Sequence, residues 1–199
     1  MSLLPKLGLG FAGLAGASGA GYLGWKHISN DPKESFKSKY SLAVDGFLND
    51  DATLTKKLTS LNGDSATPKH PDLLEAKKHK TANKDADAKA SLKKGCSEIH
   101  NKPIDSEFFD DFKNYCSFNN GDKIESSKTV VTENGDFASK KNAFNGKSAD
   151  QLQKGFKDIA KPTTSPDSKW QVAMLSECKK LASEIFEGEI PNFKEFCTK

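Results

Sequence analysis

Two sets of residues have types and spacings that could do chemistry. Near the start, Gly8-Leu9-Gly10-Phe11-Ala12-Gly13 spells G-x-G-x-x-G, the glycine pattern that lets a dinucleotide pyrophosphate approach a helix N-terminus. Further on stand Cys96, Cys116, Cys178 and Cys197, which could bridge, hold a metal or act as thiols. The glycine pattern fails on context. A cofactor loop needs a strand before it and a helix after it, and here only six residues, one of them Pro5, precede Leu7. Asp31 is roughly placed for a ribose-binding acid, but Pro32 follows it and no second β-α unit does. No nucleotide cofactor is expected.

A membrane reading suits the same residues better. Residues 7–25 carry no charge and are flanked by Lys6 and by Lys26-His27. As a helix they would span about 28 Å, close to a hydrocarbon core. Tyr22 and Trp25 lie near one end, where aromatic rings favour the interface, and Gly10, Gly13 and Gly16 could form a smooth packing face. The expected anchor is 1–27. A cleaved signal peptide competes with it, since Ala15-Gly16-Ala17 and Ser18-Gly19-Ala20 are small-residue cleavage candidates, and a buried core helix is a third reading.

The cysteines fall into two pairs with matching surroundings. Cys96 and Cys116 are 20 residues apart, Cys178 and Cys197 are 19. Leu92, Cys96 and Ile99 share a helical face, and Met174, Cys178 and Leu181 repeat it. Phe112-Lys113-Asn114-Tyr115-Cys116 aligns with Phe193-Lys194-Glu195-Phe196-Cys197, and Lys56-Lys57 through Gly63 with Lys140-Lys141 through Gly146. The spacing predicts a duplicated unit of about 80 residues. Zinc sites bring ligands in close pairs, and none occurs here; His27, His70, His79 and His100 are scattered. Free buried thiols remain the alternative, but the repeat selects two bridges, Cys96–Cys116 and Cys178–Cys197. Bridges imply an oxidising exterior. Lys6 precedes the apolar segment, while Lys26, Lys33, Lys37 and Lys39 follow it, which by the positive-inside rule would keep the body in the cytoplasm. The cysteines outweigh that count.

The expected fold is therefore mainly α: an N-terminal apolar helix, then two tandem related helical units, each ending in a disulfide-clasped helical hairpin. The segments are an anchor or signal over 1–27, a stalk over 28–40, a first unit over 41–118 and a second over 119–199. Within them the spacing predicts a helix from about Asp51 to Leu61, a second stripe of Phe108, Phe109, Phe112 and Tyr115 with Asp105 or Ser106 as N-cap, and a helix starting at Pro191. Leu152, Phe156 and Ile159 lie at helical spacing within 150–160. Thr129-Val130-Val131-Thr132 reads as a short strand, a loop or a helix start. Residues 69–94, with eight Lys against four acids, read as a solvated flexible helix rather than a patch for anionic glycans or lipid.

The balance of 30 basic and 27 acidic residues does not call for nucleic acid, and every basic residue is Lys, so no bidentate guanidinium is available for phosphate or guanine. No Ser-His-Asp order, H-E-x-x-H or Walker loop is present. An enzyme is not expected; the alternatives are an enzyme with a dispersed site or an envelope structural protein.

The Gly/Ala-rich apolar start, the Lys-rich body and the repeated Leu-x(3)-Cys … Phe-Lys-x(2)-Cys blocks resemble the large paralogous protein families of haemotropic mycoplasmas. Many members have Trp before the final Cys, where this chain has Tyr115 and Phe196. The resemblance implies a surface-exposed protein and brings no catalytic residues with it. The expected location is the cell membrane through residues 7–25, with the bulk of the chain outside, or secretion if the segment is cleaved. Host surface components are an admissible partner class.

Overall fold

Leu54, Leu58 and Leu61 recur at helical spacing, and Asp50 stands just before them with a carboxylate able to close a first turn. In the computed structural model, which describes residues 33–163 and 167–199, this stretch is a helix over Asp51–Leu61, and Asp50 accepts the Thr53 N–H at 2.9 Å. Among the described residues there are nine α-helices and no β-strand: α1 (Phe36–Lys39), α2 (Ser41–Val44), α3 (Asp51–Leu61), α4 (Pro71–Thr81), α5 (Asp85–His100), α6 (Phe109–Tyr115), α7 (Lys141–Gly146), α8 (Ser168–Ala182) and α9 (Pro191–Cys197). Short 3-10 segments, among them Asn120–Asp122, Asn134–Lys140 and Lys154–Asp158, link them. The chain is mainly helical, as expected. The apolar segment 7–25, with Tyr22 and Trp25, lies outside the described residues.

Glu34–Lys199 forms one folded unit with two apolar cores. The first is built from α1–α6 around Phe36, Leu54, Leu92 and Phe112; the second from α7–α9 and the 3-10 segments around Phe144, Phe156, Trp170 and Phe196. The Phe stripes are largely core: Phe112, Phe193 and Phe196 are buried, while Phe109 keeps 38% of its surface exposed.

One backbone pattern occurs twice. The Phe36 N–H donates to the Lys102 carbonyl and the Ile104 N–H to the Glu34 carbonyl, bracketing an antiparallel bridge between Ser35 and Pro103. Farther along, the Asn120 N–H donates to the Glu184 carbonyl and the Phe186 N–H to the Phe118 carbonyl, bracketing Asn119 and Ile185. In both places an entering segment pairs with the loop between two cysteine-bearing helices, and so satisfies backbone groups that neither helix can reach. Two residues past the second cysteine of each pair, the Phe118 N–H reaches the Ala43 carbonyl and the Lys199 N–H reaches the Thr129 carbonyl.

Buried acceptors repeat as well. The Asp111 carboxylate takes the N–H groups of Lys69 (2.9 Å) and His70 (2.7 Å), and the Asn192 Oδ1 takes the Gln153 N–H at 2.6 Å. Asp111 is almost wholly buried, and burial pushes its carboxyl up against the two N–H groups that hold it down. Asp111→Ala leaves both donors unmatched and should cost about 2 kcal/mol or more, whereas Asp111→Asn keeps an acceptor and should cost less. Urea midpoints of the two variants check the order.

Several expectations are corrected. Residues 34–40, read as stalk, are folded: Phe36 is fully buried and its ring stacks on Phe112 at 4.5 Å. Neither Asp105 nor Ser106 caps α6; the helix starts at Phe109 with Phe108 as N-cap, because residues 103–106 are held in the bridge to Ser35 and in a turn that the Ser106 N–H closes on the Pro103 carbonyl. Residues 150–160 form 3-10 turns at Ala149–Gln151 and Lys154–Asp158 instead of an α-helix, since Asn192 draws off the Gln153 N–H and Lys154 is left-handed at φ 49°. Residues 69–94 are two packed helices, not one flexible one. Asn83, at φ 58°, turns the chain between α4 and α5. At Thr129–Thr132 there is only an isolated bridge, Val130 to Thr198.

Candidate functional site

The four cysteines are the residues sequence reasoning singled out, and the fold brings them together in the expected pairs. Cys96 lies on the buried stripe of α5 and Cys116 caps α6, with their Cα atoms 4.9 Å apart and bridged. Cys178 on α8 is bridged to Cys197 at the end of α9, Cα to Cα 5.3 Å. All four are fully buried, and none is free.

His100, one turn beyond Cys96, is buried and does not activate a thiol. Its Nε2 lies 2.6 Å from the Cys116 carbonyl, which can only accept, so that nitrogen carries the proton. Burial lowers the imidazole below its ordinary value, with Lys37 adding a smaller push and the Cys116 carbonyl opposing both. The folded chain therefore binds this proton more weakly than the unfolded chain. As pH falls through 6.5, the unfolded chain is protonated first and stability drops. His100→Gln should flatten that part of the urea-midpoint profile between neutral and mildly acid pH.

Where the two cores meet, Lys57 and Asp122 form an ion pair at 2.9 Å with little solvent access. Lys57 also donates to the Asn119 Oδ1. Asn119 in turn donates to the Lys113 and Ser183 carbonyls, each at 3.1 Å, and Asn120 donates to the Leu181 carbonyl at 2.8 Å. Burial pulls the Lys57 ammonium down and the Asp122 carboxylate offsets that. A polar cleft of about 550 Å³ runs beside this pair, lined by Lys56, Ser60, Asn114 and Tyr115. Ile185, from the loop of the second hairpin, packs into the first core.

The lysines of 69–94 are largely engaged. Lys77 donates to the Gly63 and Ala66 carbonyls, Lys80 pairs with Asp85, Lys89 with Asp51 and Lys94 with Asp72. These bonds stitch α3, α4 and α5 together, which is why this run is not an independent basic helix.

The α4–α5 hairpin also assembles a cluster that sequence reasoning missed. His70 caps α4, Asp72 sits in its first turn, and Glu98 comes from α5; one ligand atom from each lies within 4.8 Å of the others. His70 and Asp72 alone form an H-x-D before a helix, which was legible, but Glu98 is brought in only by the packing. Gly95 makes that packing close: a Cβ there would lie 3.1 Å from the Asp72 Cβ and 3.3 Å from the His70 Nδ1.

Compared with known proteins, the chain matches no family model, no curated protein and no solved structure. Among the described residues no helix is long and apolar enough to cross a membrane.

Proposed function

We propose that this is a membrane-anchored, non-enzymatic surface protein, with residues 7–25 as anchor and a duplicated helical body outside the lipid. Its role is to bind host components or to serve as a variable antigen. The observation that carries the reading is the pairing of all four cysteines, which fits an oxidising exterior and not a reducing cytoplasm. The duplication is supported by the twofold recurrence of the bridge pattern at Ser35–Pro103 and Asn119–Ile185, and by the matched acceptors Asp111 and Asn192. A further parallel lies at the helix crossings: Gly95 opposes Asp72 in one half, and Gly155 opposes Glu177 in the other, so glycine and carboxylate have traded helices. The resemblance to the haemotropic mycoplasma families points the same way. Clasped hairpins are a frame on which exposed loops can vary without loss of the core.

The test combines peptide mass mapping under non-reducing and reducing conditions with protease shaving of intact cells. Bridged peptides and cleavage from outside are expected. Free thiols in protein that resists shaving would overturn the surface reading.

A further inference from the structure

We propose that His70, Asp72 and Glu98 bind one divalent transition-metal cation, with the ligand preference of zinc. The proposal stands independently of the surface reading. His70 is buried, and its ring is held edge-on by Phe108 with centroids 5.2 Å apart. Its Nε2 lies 3.5 Å from the Glu98 Oε2. That distance is too long for a good N–H···O hydrogen bond. It is close to the ligand–ligand edge, about 3.4 Å, of a tetrahedral shell with bonds near 2.1 Å. Glu98 is half exposed, so the site opens to solvent on that side and leaves room for water to complete the shell. An imidazole beside two carboxylates suits zinc or a similar cation; calcium and magnesium prefer all-oxygen shells.

The place is already occupied by a positive charge. The Lys94 Nζ sits 2.8 Å from the Asp72 Oδ1 and 4.0 Å from the Glu98 Oε1. Lys94 is 66% exposed and can swing into water when a metal takes its position. Metal on Nε2 puts the ring proton on Nδ1. The weak 3.3 Å bond from the Asp72 N–H to Nδ1 is then given up. The second half offers no counterpart: alignment through the cysteines puts Lys180 opposite Glu98, Leu152 opposite His70 and Lys154 opposite Asp72. The stoichiometry should therefore be one per chain.

The full chain with both disulfides intact is titrated with zinc chloride against a chromophoric chelator at neutral pH. One equivalent should bind and raise the thermal midpoint. Glu98→Gln and the cap-preserving His70→Asn should each weaken binding by more than about tenfold, with unchanged circular dichroism. Lys94→Met should tighten it, because the competing cation is gone. Cobalt(II) in place of zinc should give a four-coordinate absorption band that both ligand variants lose. No uptake by the wild-type chain, or uptake that Glu98→Gln leaves unchanged, would overturn the site; the latter result would place the metal elsewhere, for example at His79 and Glu75, 3.2 Å apart on α4.

Discussion

A chain with all four cysteines replaced by alanine should lose about 6 kcal/mol, about 3 kcal/mol for each loop of some 20 residues that a bridge closes. Domains of this size are commonly stable by only about 5–15 kcal/mol, so the variant should lose at least about two fifths of its stability. The cause lies mostly in the unfolded chain, which gains the freedom that two closed loops had removed. The folded chain adds a smaller loss, since all four sulfurs sit in the cores and alanine leaves a void at each. Single-pair variants should each show about half the effect in urea denaturation followed by circular dichroism. A loss below about 1 kcal/mol for the quadruple variant would mean that packing alone holds the hairpins and that the clasps are incidental. Because the bridges are buried, a reductant added to the folded protein should act slowly and should act quickly once urea opens the cores.

Phe112→Ala should be the costliest single change, at about 3–5 kcal/mol. Its ring is wholly buried, stacks on Phe36 at 4.5 Å, tilts against Tyr40 at 5.4 Å and meets His100 edge-on at 5.9 Å. It joins the entering segment, α5 and α6 in one contact group, four residues before Cys116. Alanine there opens a cavity between elements that the Cys96–Cys116 bridge prevents from closing up, so relaxation is limited. Phe109, on the same helix but 38% exposed, serves as the control: Phe109→Ala should cost clearly less than Phe112→Ala, because more than a third of its surface stays in water in the folded chain. Equal losses at the two positions would show that the aromatic stack contributes no more than an ordinary surface contact. Thermal and urea midpoints of both variants give the comparison.

The helical stripes were legible in the sequence because their signals are local. Leu92, Cys96 and Ile99 meet on one face whatever surrounds them, and Asp50 caps α3 through a hydrogen bond spanning three residues. The cysteine pairing was legible for a related reason: two stretches of similar sequence constrain each other. What failed was what depends on a distant partner. Phe36 looked like part of a stalk because its burial needs Phe112, which comes much later in the chain. The 150–160 stretch has helical spacing, yet Asn192 captures its backbone at Gln153 and helps hold it to 3-10 turns.

The candidate sites divide along the same line. By themselves the residues determined a mainly helical chain and the partners of its four cysteines, since apolar period acts over a turn and the two cysteine pairs stand in similar sequence. Only the tertiary structure decided that Lys57 would meet Asp122 between the cores, that Asp111 would hold the Lys69-His70 loop, and that Glu98 would arrive beside His70 across Gly95. Such meetings join residues tens of positions apart. They are set by which apolar faces pack together, and a buried charge or a ligand set is placed only after that packing is chosen.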